Sequence, residues 1–336
     1  MLVKVGIIGV SGYTGLELVK LILNHPNFEI AYLATSKGDT TLEQLHPSLT
    51  DVYNFEVDSV NIDKIAAKCS LVFLALPHKS AMSVAKELIA KDIKVIDLSA
   101  DYRLELETYE SAYCQHEDKE NLKYSAYGLI EYFREDIKRA KVVASPGCYP
   151  TATLLGLLPF IPYLKENTPI YIDAKSGVSG AGKKLTQTNS FVNINENIFA
   201  YNPLKHRHAP EIKEKIKKLF NKDFRVNFVP HLIPVTRGEL VSIYAELKDD
   251  INPIEILQKH YKNEEFIRVR EIPVTIKDVA GTHFCDIFAS VNEGSIFISS
   301  AIDNLLRGAA SQALVAANIA LGLNESAGVP KIAYVP

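Results

Sequence analysis

A run of β-branched and apolar residues, Val3–Ile8, passes directly into Gly9-Val10-Ser11-Gly12-Tyr13-Thr14-Gly15. A helical pattern follows over Thr14–Asn24, with Leu16, Val19 and Leu23 on one face. Strand, glycine-rich turn and helix in that order leave few folds open. Glycines at such a turn let backbone N–H groups at the helix start approach a pyrophosphate. The spacing is GxxGxxG rather than GxGxxG, so the weight rests on its position after the first strand. A glycine-rich turn that binds nothing is the competing reading.

The alternation repeats through the first half. Strand-like runs at Phe28–Ala34, Leu71–Leu76, Ile93–Leu98 and Lys141–Ala144 enclose a helical stretch at Ser80–Ala90. Such βαβ units require a mostly parallel sheet. Beyond about residue 165 the pattern changes. Pro169–Lys175, Val226–Val235, Leu240–Leu247, Phe266–Arg270, His283–Val291 and Ser295–Ala301 read as strands, with helices chiefly at Glu211–Phe220 and Pro253–Tyr261. The expected class is α/β: an N-terminal Rossmann-type dinucleotide-binding domain plus an α+β substrate and dimerisation domain with a mainly antiparallel sheet. A last helix over Asp303–Leu321, rich in alanine, is expected to pack closely against the first domain. The domains are accordingly drawn as 1–147 with 303–336, and 148–302.

Charge and composition narrow the function. Thirty-seven Lys and Arg against 40 Asp and Glu give a net charge of −3, without the basic excess of a nucleic-acid binder. The longest apolar stretch, Leu154–Leu164, is broken by Pro159 and Pro162 and falls short of the ~18 residues that span a bilayer. The N-terminal apolar run is too short for a secretory segment, and Cys69, Cys114, Cys148 and Cys285 form no CxxC pair. A reduced, cytoplasmic enzyme is expected. His25, His46, His78, His116, His231 and His283 are dispersed and no HExxH occurs, so no metal site is expected.

The second strand ends Thr35-Ser36-Lys37, with hydroxyls and a cation where an NAD site places an acid. Ser36 and Lys37 suit a 2′-phosphate and favour NADP, while nearby Asp39 keeps NAD open. Farther on, Ala144-Ser145-Pro146-Gly147-Cys148-Tyr149-Pro150-Thr151 joins a strand to the apolar run Ala152–Leu158. Pro150 suits a first helical turn, so Cys148 stands where the helix dipole and free N–H groups favour a thiolate. A thiolate attacks acyl carbonyls and acyl phosphates. Cys69 and Cys285 read as small buried hydrophobes and Cys114 as incidental.

The stretch Val143–Ala152, continuing to Gly156-Leu157-Leu158-Pro159, resembles the active-site signature of the N-acetyl-γ-glutamyl-phosphate reductases, in the wider aspartate-semialdehyde dehydrogenase-like group. The Gly9–Gly15 loop, Asp97–Arg103, Ser176–Gly182, His206–Glu211 and Ala301–Leu305 resemble the same family, in order along nearly the whole chain. Two positions depart from it: Lys79 follows Pro77-His78 where the family more often has glycine, and Ile130 stands where proline is usual.

The resemblance implies reductive dephosphorylation of N-acetyl-L-glutamyl 5-phosphate by NADPH through a thioester on Cys148, in arginine biosynthesis, by a homodimer or homotetramer. His206 or His208 would be the acid/base, with the choice between them open, and Glu211 would orient an imidazole or meet substrate. Arg103 with Ser99 would grip phosphate, and Lys183 and Arg207 are further cations for phosphate or carboxylate. Gly9, Ser11, Gly12, Tyr13, Thr14 and Gly15, the Pro77-His78 loop, Ser179, Gly180 and Asn304 would meet the cofactor; Asn304 has a helix cap as its plainer role. Sister substrates, aspartyl phosphate or a carrier-linked aminoadipyl phosphate, need the same chemistry. A nucleotide-sensing module leaves Cys148 unexplained, and a cysteine hydrolase leaves the glycine loop idle.

Overall fold

The computed structural model describes residues 2–334; Met1, Val335 and Pro336, assigned above to the first domain, lie outside them. The chain forms two compact units, one running to Pro146 and joined by Ala309–Pro330, the other Gly147–Gly308 joined by the residues from Lys331.

The first unit holds strands β1 (Val3–Ile8), β2 (Phe28–Thr35), β3 (Thr40–Thr41), β4 (Glu56–Ser59), β5 (Leu71–Leu74), β6 (Lys94–Asp97), β7 (Ser125–Tyr127) and β8 (Val142–Ala144). Their order is β3-β4-β2-β1-β5-β6-β8-β7. Every pairing is parallel except β3 with β4. The central strands are apolar without alternation because both faces are covered, and all of Leu71–Leu74 is buried. Helices Tyr13–Leu23 and Ser80–Ala90 are crossovers of the kind the periodicity predicts.

The C-terminal helix returns to this unit but begins later than expected. A π-helical turn over Leu306–Ala310 precedes the regular helix Ser311–Ala320. All ten residues of that helix are buried, and it packs on helices Ile130–Arg139 and Tyr13–Leu23. Its polar residues are used inward: Gln312 donates to the Gly128 carbonyl and Asn318 meets His25 at 3.1 Å. Ile130 opens helix Ile130–Arg139, the position at which a proline would lose no hydrogen bond.

The second unit holds β9 (Ile170–Gly177), β10 (Phe199–Ala200), β11 (Val226–Ile233), β12 (Glu239–Glu246), β13 (Ile267–Val269), β14 (Cys285–Asn292) and β15 (Ser295–Ile302), ordered β10-β11-β9-β12-β15-β14-β13. Its pairings are antiparallel apart from β9 with β11 and β13 with β14. Along β12, Glu239, Val241, Ile243 and Ala245 are buried while Tyr244 and Glu246 are exposed, the period of a sheet covered on one face. Helix Cys148–Leu157 supplies that cover. Gly156 lets it approach closely, since a Cβ there would lie 3.2 Å from Ile298. Asp303–Gly308 and the residues from Lys331 belong here rather than with the first unit as drawn from sequence. Asp303 accepts from Gly281 N and pairs with Arg237, and Tyr334 N donates to Ala280 O. Among the described residues no helix is long and apolar enough to cross a membrane.

Candidate functional site

In the first unit, the glycine loop is shaped by close backbone approach. Gly9 has φ +96°, and a Cβ on it would lie 2.3 Å from the Ala75 carbonyl oxygen. A Cβ on Gly15 would lie 2.4 Å from Gly9 O. Gly12 differs, because its nearest neighbour would be 3.8 Å away, so the space above it is open. No side chain caps helix Tyr13–Leu23 and no acid stands in its first turn. An unblocked helix start beneath an open glycine fits the pyrophosphate of a dinucleotide. His46 Nε2 lies 2.6 Å from the Val10 carbonyl and braces the turn. Ser11 and Tyr13 are exposed and Thr14 half-buried at its rim.

At the end of β2, Thr35 Oγ1 accepts from Gly38 N and the chain turns so that Ser36, Lys37 and Asp39 are all exposed. Pro77 and His78 are exposed after β5. Lys79 adopts φ +71°, a left-handed conformation that a Cβ disfavours and glycine enters freely, and both Asp101 oxygens accept from its N–H. Asp101 also accepts from Met82 N and so fixes the start of helix Ser80–Ala90.

The cation expected to hold phosphate is buried rather than splayed on the surface. Arg103 is 8% exposed, and donates from Nε to Ser145 O at 2.7 Å and from Nη2 to Leu98 O at 2.9 Å. The Ser99 hydroxyl donates to Asp97 and accepts from Asp101 N, which commits its proton within the protein. Burial, and next the Asp101 charge, push the Asp97 carboxyl up to about 7.

The second unit carries the thiol. Cys148 is half-buried and opens helix Cys148–Leu157, with Gly147 as its N-cap residue. Glu211, expected to steady an imidazole or meet substrate, is buried and accepts from Gly147 N at 3.0 Å, fixing the backbone just before the thiol. The other thiols differ: burial pushes Cys69 up to about 11, Cys285 lies 3.3 Å from Ser300 Oγ, and Cys114 lies 3.6 Å from Tyr109 Oη.

Tyr149, beside the thiol in sequence, gathers the histidines. Its ring meets His206 at 5.9 Å and His208 at 5.8 Å, both edge to face, and the two imidazoles are 4.7 Å apart. The structure therefore brings together Tyr149, His206 and His208, as a turn into helix His208–Phe220 folds both imidazoles onto the ring that follows Cys148 in the chain. His206 Nδ1 accepts from His208 N at 3.2 Å, which places the proton of the neutral ring on Nε2. Burial, with the Arg207 charge second, lowers His206 to about 4. Arg207 and Lys183 are exposed, Lys183 in the polar segment after Gly182.

Asn304 is 3% exposed and acts as a brace: it accepts from Gly238 N and donates to Ser179 Oγ. It is not the cap of the last helix. Asp303 fills that role, accepting from Leu305 N and Leu306 N. Gly180 leaves room for this turn, since a Cβ there would lie 2.8 Å from Ser176 Oγ.

One residue at the thiol escapes a motif-based reading. Glu239 is fully buried and its side chain interacts directly with that of Cys148. Among the described residues no N–H or O–H reaches either carboxyl oxygen. Its signal in the sequence is parity: it occupies the same inward-facing register as Val241, Ile243 and Ala245. Among the described residues no cluster of His, Cys, Asp and Glu is suited to a metal ion.

Comparison with known proteins gives a consistent result. Residues 4–140 match the semialdehyde dehydrogenase NAD binding domain and residues 148–304 the semialdehyde dehydrogenase dimerisation domain. The chain is 64% identical over 335 residues to the N-acetyl-gamma-glutamyl-phosphate reductase of Sulfurovum sp., covering 100% of both chains. It is 57% identical to the enzyme so named from Wolinella succinogenes, covering 99% of each. Among solved structures, aspartate semialdehyde dehydrogenase II of Vibrio cholerae superposes with a TM-score of 0.73 at 16% identity, over 96% of this chain and 99% of that one. The Candida albicans aspartate semialdehyde dehydrogenase with NADP gives 0.72 at 15% identity, over 95% and 98%.

Proposed function

The chain belongs to the N-acetyl-gamma-glutamyl-phosphate reductase family, within the semialdehyde dehydrogenases, and on that premise we propose how its residues divide the work. The reaction is the NADPH-dependent reductive dephosphorylation of N-acetyl-L-glutamyl 5-phosphate to N-acetyl-L-glutamate 5-semialdehyde, a step of arginine biosynthesis. The single observation that carries the assignment of roles is the thiol at the first position of an uncapped helix, beside a ring that gathers two imidazoles.

Cys148 attacks the acyl carbon, an S–C bond forms, and phosphate leaves with the electron pair of the broken C–O bond. NADPH, when bound, supplies the hydride that reduces the thioester. The N–H groups at the uncapped start of helix Tyr13–Leu23 would hold the pyrophosphate, and the exposed Ser36 and Lys37 would hold the 2′-phosphate. Arg103 is the cation we assign to the substrate phosphate, aimed by its bonds to Leu98 and Ser145. Between the histidines, His208 is the better proton carrier, because burial keeps His206 neutral and its Nδ1 is committed to a backbone N–H. His206 then serves as a neutral donor from Nε2.

Inorganic phosphate is the co-product, and the chain works as a homo-oligomer in the cytoplasm. Tyr171 and Tyr244 pair across β9 and β12 and Phe297 follows on β15, an aromatic band on the uncovered face of the second sheet that suits a second copy.

The roles are tested by trapping. Incubated with N-acetylglutamyl phosphate without reduced nucleotide, the enzyme should gain one acyl group, mapped by peptide mass spectrometry to Cys148. Cys148→Ser should gain none and lose at least ~10³-fold in turnover. An acyl group on another residue, or full turnover by the serine variant, would remove the assignment.

A further inference from the structure

The proposed chemistry leaves one buried group at the thiol without a task. Glu239 stands at the start of β12, opposite Ile302 on one side and Ser176 on the other, with its side chain turned to the helical face of the sheet. There it meets Cys148. A fully buried carboxyl group with no N–H or O–H partner among the described residues is costly unless it has work to do. Replacing it by an apolar residue of similar size would remove that cost, so its presence against the reacting sulfur points to proton transfer.

We propose that Glu239 and Cys148 share one proton, and that Glu239 keeps it while the sulfur is bonded to substrate. This inference rests on Cys148 being the nucleophile. As the S–C bond forms, the S–H bond breaks and its proton resides on a Glu239 oxygen. Phosphate departs with the C–O electron pair and takes up the one proton that the overall reduction consumes. Once the thioester has been reduced, the alkoxide of the hemithioacetal re-forms the carbonyl and the C–S bond breaks with its pair on sulfur. Glu239 returns the proton, and both groups end as they began.

The surroundings fix when the pair can work. Asp303 faces Glu239 with a negative charge that Arg237 and three backbone N–H groups hold in place. Tyr149 and Tyr201, bonded to each other at 3.1 Å, lie within the field of both members, and their phenols are held protonated by burial first. Burial, and then Asp303, push the Glu239 carboxyl up to about 8, with the bond to Cys148 opposing them. Below that point the pair carries two protons and the sulfur is a poor nucleophile. Above it one proton remains and the helix start stabilises charge on sulfur.

The test is the rate of Cys148 acylation by N-acetylglutamyl phosphate, measured by rapid quench and mass spectrometry between about pH 6 and 9.5 in wild type, Glu239→Gln and Glu239→Asp. Wild type should show a one-proton rise near pH 8. Glu239→Gln should be slowed at least ~10²-fold above that pH and lose the rise at that position. Glu239→Asp should recover part of the rate with the rise displaced, and it carries the test alone should the glutamine variant not fold. Acylation of Glu239→Gln within about threefold of wild type, on the same pH profile, would overturn the inference and leave the nucleophile untouched. So would an aspartate variant whose profile is unmoved. Failure of wild-type Cys148 to acylate at all would overturn both this inference and the reading on which it rests.

Discussion

At Glu239, function and stability pull against each other. Its folded value of about 8 lies above the ordinary glutamate value of 4.5, so the native state holds a proton that the unfolded chain has released. That contribution is whole below the ordinary value and is lost as pH rises through 8. Urea denaturation should therefore show wild type weakening from mildly acid to alkaline pH more steeply than Glu239→Gln. The variant's relative gain across that range should be on the order of a few kcal/mol. Parallel curves would mean that Glu239 is not buried as described. Residues of this kind are the hardest to find in a sequence. Cys148 stands out because proline, glycine and an apolar helix mark its turn. The His206–His208 pair stands out by its spacing, although only the fold shows that both rings lie on Tyr149. Glu239 carries a weaker mark, an acid on the inward parity of a strand, and its partner lies 91 positions away in the chain (239 − 148). Glu211 shows a bond that no spacing announces: folding delivers its carboxylate to Gly147 N, 64 positions away in the chain.

At the scale of elements, the glycine loop separates shape from binding. Gly15→Ala would put a Cβ 2.4 Å from one backbone atom and 2.7 Å from another, so it should cost about 2 kcal/mol or more of stability, read as a fall in Tm. Gly12→Ala meets nothing nearer than 3.8 Å and has an extended backbone, so it should melt close to wild type. Its methyl would nevertheless fill the cradle, and the Kd for NADP by titration calorimetry should rise at least ~10-fold. Unchanged affinity in Gly12→Ala would show that the phosphates do not bind there. The long periodic elements, Val3–Ile8 and Ser80–Ala90 among them, were legible to the residue because burial on a covered sheet leaves an unmistakable pattern. The short strands Thr40–Thr41 and Ser125–Tyr127 were not, since two or three residues carry no period and only their neighbours make them strands. The helix predicted from Asp303 starts at Leu306 because the Asp303 carboxylate is drawn to Gly281 and Arg237 and caps a π-helical turn.

At the scale of the whole molecule, the glycine loop Gly9–Gly15 and Cys148 belong to different units, and the chain crosses from one to the other immediately before Cys148. The second sheet covers one face with helices and leaves an aromatic band, Tyr171 at 52% and Tyr244 at 48% exposure, on the other. Tyr244→Lys combined with Tyr171→Lys should shift the mass in light scattering toward the monomer while NADP binding persists; an unchanged mass would move the interface elsewhere. The central claim, a thiol-dependent reductase for an acetylated acyl phosphate, is tested most directly in reverse, by following NADP reduction with phosphate and each of three aldehyde conditions: N-acetylglutamate semialdehyde, aspartate semialdehyde, and none. The account predicts a signal with the acetylated aldehyde alone, dependent on phosphate and abolished in Cys148→Ser. A signal with aspartate semialdehyde instead, or one that survives loss of the thiol, would contradict it.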